Sequence, residues 1–247
     1  MNDFTEKLSF ALQEMYNRAA VCDAGLLTPV AIDRGLTLLR NLDYPAPLLD
    51  LFPQASYERA FPLANPLTKI AAIAPTTILD LGCGTALDIF FCAHLLLDIE
   101  HLTGIDASAG LLNEGRKRLE SFPAQAGKIN LIESDLNFLD SLNLASFDLI
   151  LMNGSFNLIY DKVSFLQTLS ELLAANGTIL IYDFLLTESL PPGFADEIDN
   201  WLWNIGGALD ENELNEAISN AGFKLISIKE LERIDPVARC EILIGKK

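Results

Sequence analysis

Acidic residues stand at the ends of three short apolar runs in this chain. Asp80 lies near the end of the first run, Asp106 ends the second, and Asp135 comes just after the third. If these runs are parallel strands, their carboxyl ends share one edge of a sheet, where open α/β sheets bind ligands. Asp106 could then accept hydrogen bonds from both hydroxyls of a ribose, and Asp135, beside the backbone N–H of Leu136, could contact an adenine amine.

A glycine-rich turn, Gly82-Cys83-Gly84, joins the first run to a helical segment. Glycine permits positive φ and lets a ligand approach the backbone closely. The dinucleotide fingerprint requires a third glycine at the position of Leu87, which makes this turn a poor pyrophosphate site. Asp80 would repel a phosphate, but it would attract an ammonium group such as the one on the methionyl end of S-adenosylmethionine (SAM).

Short β-branched runs alternate with helical stretches from about residue 75 onward. Near-continuous apolar strands separated by helices are typical of a parallel sheet covered on both faces. The predicted strands are Thr77–Leu81, Leu102–Ile105, Ile129–Ile132, Phe147–Met152 and Thr178–Tyr182, and the predicted helices are Ala86–Leu97, Ser108–Phe122 and Lys162–Ala175.

The C-terminal end departs from this alternation. The strand-like runs Phe223–Leu231 and Val237–Ile244 are joined by the short turn Ile234-Asp235-Pro236. A parallel crossover needs a dozen or more residues, so these two strands must be antiparallel. A helix, Ala208–Ala221, stopped by Gly222, leads into them. We predict an α/β fold, a Rossmann-like, doubly wound, mostly parallel sheet with an antiparallel C-terminal hairpin.

Residues 1–74 show helical periodicity and prolines but no strand pattern. Helices are predicted at about 3–20 and from Pro29 to Arg40, followed by a proline-rich connection. We interpret residues 1–74 as a helical N-terminal extension that acts as a lid on a SAM-binding domain at 75–247, and Tyr16 could close the pocket from this side. The alternative is a structural flank that does not touch the ligand.

The charge balance bears on possible partners. The chain has 34 acidic and 17 basic residues and a formal net charge of −17. Affinity for nucleic acid is built mainly from Lys and Arg that neutralise phosphates, so nucleic acid and anionic membrane are disfavoured. The one dense basic run, Arg116-Lys117-Arg118, is interpreted as a solvated helix face.

Cysteine and histidine usage bears on metals and on the cellular compartment. The four cysteines form no CxxC pair, and there are only two histidines, which argues against a zinc site and a secreted disulfide framework. The N-terminus lacks a signal-peptide pattern, and the apolar runs fall short of the roughly 20 residues of a membrane helix. We predict no metal and a cytoplasmic location.

The ordered motifs resemble those of class I SAM-dependent methyltransferases. They are Asp80-x-Gly82-Cys83-Gly84, Gly104-Ile105-Asp106, Glu133-Ser134-Asp135, Phe147–Gly154 and Leu173–Ile181. The resemblance covers roughly residues 75–247 and implies a seven-stranded sheet whose last strand is antiparallel. It implies SAM as the cofactor, with Asp80, Gly82 and Gly84 around the methionyl part, Asp106 at the ribose, Asp135 at the adenine amine, and Asn153 and Gly154 beside the sulfonium. The other predicted cofactor-binding residues are Cys83, Ala107, Ser134 and Leu136.

The acceptor side is predicted at the carboxyl ends of the fourth and fifth strands. Methyl transfer is an in-line displacement, so the enzyme mainly aligns the reactants and excludes water. Tyr182 and Asp183 are the candidates for a polar or proton-sharing role, together with Tyr16. The predicted substrate pocket contains Trp201, Trp203, Tyr160 and Asn157. No Lys or Arg occurs between Val163 and Phe223, which favours an amine acceptor unless this is simply a solvated acidic face.

The segment Trp201–Gly207, called here the Trp-to-Gly segment, and the pair Asn65-Pro66 are distantly similar to arsenite- and quinone-type small-molecule methyltransferases. The arsenite enzymes grip arsenic with cysteines, and Asn204 stands at one of those positions, so arsenic is not predicted as the acceptor. The predicted function is methyl transfer from SAM to a small molecule. The alternatives are a SAM-binding protein without catalysis, a dinucleotide-dependent oxidoreductase and a protein-methylating enzyme.

Overall fold

The chain folds into strands and helices that follow the predicted alternation. The computed structural model describes residues 3–22 and 33–247. The strands are β1 Thr77–Leu81, β2 His101–Asp106, β3 Ile129–Glu133, β4 Phe147–Asn153, β5 Leu173–Leu186, β6 Phe223–Ile234 and β7 Val237–Lys246. They form a seven-stranded sheet in the order β3-β2-β1-β4-β5-β7-β6.

The helices lie before β1 and in the connections between β1 and β6. They are α1 Asp3–Val21, α2 Gly35–Asn41, α3 Ala46–Leu49, α4 Leu67–Ile73, α5 Leu87–Leu95, α6 Ala109–Glu120, α7 Pro123–Ala126, α8 Lys162–Leu172, α9 Ile198–Leu202 and α10 Glu211–Asn220. Short 3-10 turns occur at Gln54–Tyr57, Leu136–Ser141, Phe156–Leu158 and Phe194–Asp196. Among the described helices, none is both long enough and apolar enough to cross a membrane.

The chain divides into two compact units. The N-terminal unit comprises Leu12–Ser134, and the C-terminal unit comprises Met1–Ala11 with Asp135–Lys247. The predicted division into an extension at 1–74 and a domain at 75–247 stays a prediction.

The N-terminal unit is built on parallel strands. β2 pairs in parallel with both β1 and β3, and this register places Asp80 opposite Gly104 and Asp106 opposite Glu133. The residues Ile78 and Leu79 of β1 are fully buried, as expected for a strand covered on both faces. Ser108 begins α6 as its N-cap, because its hydroxyl accepts the Leu111 N–H at 3.3 Å.

The C-terminal unit combines a parallel and an antiparallel part. β4 pairs in parallel with β5, while β7 pairs antiparallel with both β5 and β6. β6 ends at Ile234 and β7 begins at Val237, so the predicted hairpin and its turn are confirmed. The predicted α/β sheet, mostly parallel with an antiparallel C-terminal hairpin, is therefore the observed fold class.

Two helix ends differ by three residues from the sequence-based expectation. The helix predicted to reach Ala175 ends at Leu172, because Leu173 already pairs with Phe147 at the start of β5. The helix predicted from Ala208 begins at Glu211, because Asp210 and Glu213 form a capping box that fixes its first turn.

The prediction for the basic run is wrong at Arg118. Arg116 and Lys117 are exposed, but only 7% of the Arg118 surface is accessible. Arg118 lies on the same face of α6 as Leu111 and Gly115, which are both buried. Arg118 is buried because of its position on the helix, despite its charge.

The N-terminal helical segments agree in part with the prediction. The helix predicted at about 3–20 is α1. In its later turns the Gln13 amide donates to the Ala107 carbonyl, and Asn17 accepts a hydrogen bond from the Ser108 hydroxyl. The beginning of the helix predicted from Pro29 lies outside the described residues, and α2 runs from Gly35 to Asn41.

Candidate functional site

The carboxylate at the end of β2 is fixed by backbone donors. Asp106 Oδ2 accepts the Gly84 N–H at 2.8 Å, and Oδ1 accepts the Ser108 N–H at 2.8 Å. The Asp106 carbonyl also accepts the Ser134 N–H at 3.1 Å. Asp106 therefore ties the glycine turn after β1, the start of α6 and the segment after β3 to one point.

The glycine turn after β1 has the shape of a cradle. Gly82 and Gly84 have φ of 79° and 53°, which other residues rarely adopt. The N–H groups of Gly82 and Cys83 both donate to the Ile105 carbonyl, at 2.8 and 3.1 Å. A Cβ built on Gly84 would meet nothing closer than Leu111 at 4.0 Å, so open space faces the turn.

Several carboxyl groups lie close together in this part of the N-terminal unit. Only 3% of Asp80 is exposed, and burial, then Asp88 and then Asp106 raise its pKa well above the ordinary value. Burial also raises the pKa of Asp106, against the two N–H groups that lower it. Sequence reasoning missed Asp88, which is buried in the first turn of α5 and accepts the Tyr44 hydroxyl at 2.6 Å.

These residues fit the cofactor that the motifs imply. A cation near Asp80 and Asp106 would stabilise their ionised forms, and SAM carries an ammonium and a sulfonium. A pyrophosphate would meet repulsion from the same carboxylates. The position of the missing third glycine, Leu87, is buried as the first residue of α5. The open turn and the buried acids therefore favour SAM over a dinucleotide.

The remaining predicted cofactor residues lie at the ends of β3 and β4. Asp135 Oδ1 accepts the Asn137 N–H at 2.8 Å, and the Ser9 hydroxyl donates to Oδ2. Gly154 has a φ of 84°, and its N–H donates to the Tyr182 carbonyl at 2.8 Å. The roles predicted for Asp135, Leu136, Asn153 and Gly154 toward the cofactor stay predictions.

Asp183 holds together three segments of the C-terminal unit. It is fully buried, and it accepts the N–H groups of Asn157 at 3.0 Å and Phe184 at 2.9 Å and the Asn204 side-chain amide at 2.6 Å. Asn157 completes the link, because its amide donates to the carbonyls of Phe184 and Asn204. Burial raises the Asp183 pKa to about 6, although these donors and Lys162 lower it.

The two predicted polar candidates on β5 point to different partners. The Tyr182 hydroxyl donates to Glu241 on β7 at 2.9 Å, while Asp183 faces Asn157 and Asn204. The third candidate, Tyr16, lies in the N-terminal unit with its ring 6.5 Å from that of Phe61. The catalytic roles predicted for all three residues stay predictions.

A cavity of about 1160 Å³ lies within the C-terminal unit, and the predicted pocket residues Tyr160 and Trp201 line it. Their ring centroids are 5.7 Å apart, and the Phe4 ring is 5.4 Å from Tyr160 and 6.0 Å from Trp201. Asn157 is buried in the Asp183 network, and Trp203 is half-buried as the C-cap of α9. Of the four predicted pocket residues, two therefore line this cavity.

Trp201 stands in a slot made by two glycines. A Cβ on Gly206 would lie 2.5 Å from the Trp201 ring, and one on Gly207 would lie 2.1 Å from the Asn157 carbonyl. The indole N–H donates to the Ala195 carbonyl at 2.8 Å. The Trp-to-Gly segment is therefore a close-packed wall in which larger residues in place of the glycines would displace the tryptophan.

Lys162 is a functional candidate that sequence reasoning missed. It lines the cavity but is only 6% exposed, with its ammonium 5.4 Å from the Phe156 ring and 5.5 Å from the Trp201 ring. It donates to the Ile159 carbonyl at 2.8 Å. Burial lowers its pKa to about 8, although Asp183 and Glu213 raise it. As the first residue of a helix it carries no sequence signal of burial.

Comparison with known proteins places the chain in a family. Residues 74–222 match the family model of a methyltransferase domain. The arsenite methyltransferase of Homo sapiens is 30% identical over 173 residues, covering 64% of this chain and 46% of that protein. The chain thus spans less than half the length of this curated relative.

Solved structures show the same fold. An arsenic(III) S-adenosylmethionine methyltransferase from Chlamydomonas reinhardtii superposes with a TM-score of 0.62 at 20% identity, covering 85% of this chain and 73% of that one. An O-methyltransferase from neocarzinostatin biosynthesis, in complex with S-adenosyl-L-homocysteine (SAH) and 1,4-dihydroxy-2-naphthoic acid, gives a TM-score of 0.54 at 17% identity, covering 73% and 53%.

The chain belongs to the methyltransferase domain family. The class I SAM-dependent methyltransferase family indicated by the ordered motifs is therefore confirmed, and SAM is the cofactor of that family.

Proposed function

We propose that this chain is an enzyme that transfers the methyl group of SAM to a small-molecule acceptor. One observation of the N-terminal unit carries the proposal. Gly82 and Gly84 have positive φ, and the turn faces open space beside the buried carboxylate of Asp80 and the half-buried carboxylate of Asp106. This combination suits a ligand that is both a nucleoside and a cation, and it disfavours a dinucleotide.

The residues of this turn and of the strand ends beside it have proposed roles in binding the cofactor. Asp80, Gly82, Cys83 and Gly84 would surround the methionyl part, and Asp106 with Ala107 would hold the ribose. Asp106 accepts hydrogen bonds from two N–H donors, and these orient its carboxylate before a ribose hydroxyl binds. When bound, SAM supplies a methyl group made electrophilic by its sulfonium. We extend the cofactor site to Ser134, Asp135, Leu136, Asn153 and Gly154 on the resemblance alone.

For the acceptor we propose the cavity of the C-terminal unit. Tyr160 and Trp201 supply apolar ring surface, and Asp183 binds both Asn157 and Asn204, the latter within the Trp-to-Gly segment. Four exposed carboxylates line the cavity against one buried lysine; they are Asp161, Asp196, Glu213 and Glu216. Their field favours an acceptor that carries an amine over one that carries a carboxylate.

Arsenite is the acceptor named for the human relative, but it fits the cysteines of this chain poorly. Arsenic is coordinated by thiolate ligands. Burial and nearby carboxylates raise the pKa of Cys83 and Cys92 well above the ordinary value, and that of Cys240 to about 11. We therefore favour an organic acceptor.

The function is tested by incubating the protein with SAM and a panel of acceptors. The panel contains small amines, phenols, carboxylates and arsenite, and mass spectrometry follows both SAH and the methylated product. We expect product with an organic acceptor, amines above carboxylates. SAM binding without product from any acceptor would favour the non-catalytic alternative, and product only on added protein would favour a protein-methylating enzyme.

The affinity for SAM is expected to fall as the pH is lowered, beginning at a higher pH than an ordinary Asp would give. The raised pKa of Asp80 means that this carboxyl takes up its proton at a higher pH than an ordinary Asp, and the neutral form no longer attracts the ammonium. Asp80→Asn should bind SAM more weakly than the wild type at the upper end of the pH range, match it once Asp80 is protonated, and lose this part of the dependence. Calorimetric titrations across the range measure both.

The exposed Asp98→Asn in the same unit serves as the control for Asp80→Asn, because it removes a carboxylate that lies in solvent and should leave the profile unchanged. An Asp80→Asn profile that keeps the wild-type pH dependence would remove Asp80 from the explanation.

We also propose a cytoplasmic location. All four cysteines are free thiols, as expected in a reducing compartment.

A further inference from the structure

The buried arginine of α6 bridges two backbone carbonyls. Arg118 Nη1 donates to the carbonyl of Thr85, the residue that follows the glycine turn, and Nη2 donates to the carbonyl of Ser56 at 3.0 Å. The guanidinium carbon also lies 5.1 Å from the centre of the Phe52 ring. One side chain thus connects the segment before β1 to the turn after it.

No carboxylate among the described residues forms an ion pair with Arg118. Burial lowers its pKa to about 10, so the guanidinium still carries its charge at neutral pH. Burying a charge is costly, and a well-packed apolar side chain often serves stability equally well. The planar guanidinium offers something an apolar side chain lacks, namely two donors held in a fixed geometry.

The surroundings of Thr85 are packed so that this bridge has little freedom. A Cβ on Gly115 of α6 would lie 2.9 Å from the Thr85 carbonyl, so the helix lies directly against the turn. On the other side of Thr85, the Gly84 N–H is held by Asp106. Arg118 therefore binds the Thr85 carbonyl and Asp106 binds the Gly84 N–H, so the last part of the glycine turn is held at both groups.

The segment before β1 is anchored independently. The Phe52 ring packs against Phe90 at 5.0 Å and Phe122 at 5.3 Å, and the Tyr57 hydroxyl donates to the Leu49 carbonyl at 2.9 Å. The Ser56 carbonyl is therefore a fixed point on which the guanidinium can brace the glycine turn.

We propose that Arg118 is a positioning residue of the cofactor site, which braces the turn Gly82–Ala86 against residues 52–57 without touching the cofactor. This inference rests on the proposed function, because it takes the turn to be the SAM site. It deepens that function by making SAM affinity depend on a segment that precedes β1.

The test uses three variants of the full chain. Arg118→Met keeps much of the side-chain length but removes both donors, and Arg118→Lys keeps the charge with only a point donor. Lys117→Met, the exposed neighbour on α6, is the matched control. The first measurement is the SAH affinity by calorimetry. The second is amide hydrogen exchange at 82–86 without ligand, which is compared with exchange at the core strands β1 and β2.

We expect Arg118→Met to lower SAH affinity about tenfold or more, a loss of about 1.4 kcal/mol or more. Exchange at 82–86 should rise while β1 and β2 keep their protection. Arg118→Lys should lie between Arg118→Met and wild type, and Lys117→Met should match wild type. A purely structural role would instead raise exchange across the whole unit.

Wild-type affinity together with wild-type exchange at 82–86 in Arg118→Met would overturn the proposal. If Arg118→Met fails to fold, Arg118→Lys decides by the same two measurements. If the wild type itself does not bind SAH, the proposed function fails, while exchange at 82–86 in the variants still decides whether Arg118 braces the turn.

Discussion

Replacing Asp106 by alanine is expected to weaken SAH binding about 100-fold or more. Each hydrogen bond to a charged group contributes about 1.5–3 kcal/mol, and the carboxylate is proposed to accept both ribose hydroxyls. The variant also releases the N–H groups of Gly84 and Ser108, which loosens the turn that should receive the methionyl part. Calorimetric titration of wild type and variant with SAH measures the loss.

Two further variants isolate the role of this carboxylate. Asp106→Asn keeps one acceptor oxygen and should bind SAH with intermediate affinity. Asp98→Ala removes an exposed carboxylate from the same unit and should bind like wild type. If Asp106→Ala retains its fold by circular dichroism and binds SAH with wild-type affinity, the ribose assignment is wrong.

Replacing Asp183 by alanine is expected to lower the free energy of unfolding by about 3 kcal/mol, since unpaired buried donors each cost about 1–3 kcal/mol. The Asn157 N–H and the Asn204 amide lose their acceptor. The segments that carry Asn157 and Asn204 should then shift, and acceptor turnover should fall while SAH affinity changes little. Denaturant unfolding and steady-state methylation measure the two effects.

The pH dependence of stability gives Asp183 a second signature. Its folded-state pKa of about 6 lies above the ordinary value of 3.8, so its contribution is fully present below about pH 4 and is lost as the pH rises through about 6. The wild type should therefore lose stability over this window, and Asp183→Ala should lack that decline.

The exposed Asp140→Ala in the same unit is the control, and it should keep both the stability and the pH profile of the wild type. A wild-type profile in Asp183→Ala would mean that another group is responsible for the decline.

The features of the site that could be predicted from sequence are those fixed by local pattern. Asp80 and Asp106 were placed at strand ends because β-branched runs mark strands, and parallel strands bring their carboxyl ends to one edge. The turn Gly82–Gly84 was identified because its glycines interrupt the change from strand to helix. The antiparallel hairpin followed from the shortness of its turn.

The features that could not be predicted depend on distant partners. Asp183 acts through Asn204, and nothing local to either residue indicates that contact. The extension of β5 back to Leu173 depends on pairing with Phe147. The charge of Arg118 suggests solvent exposure, but its spacing from Leu111 and Gly115 places it on the buried face of α6.

The most direct test of the central claim is a pair of calorimetric titrations of the wild-type protein, one with SAM and one with NAD⁺. A turn that lacks the dinucleotide glycine and lies beside buried carboxylates should bind SAM at a single site with a dissociation constant in the micromolar range, and should give no binding heat with NAD⁺. Binding of NAD⁺ without binding of SAM would contradict the account.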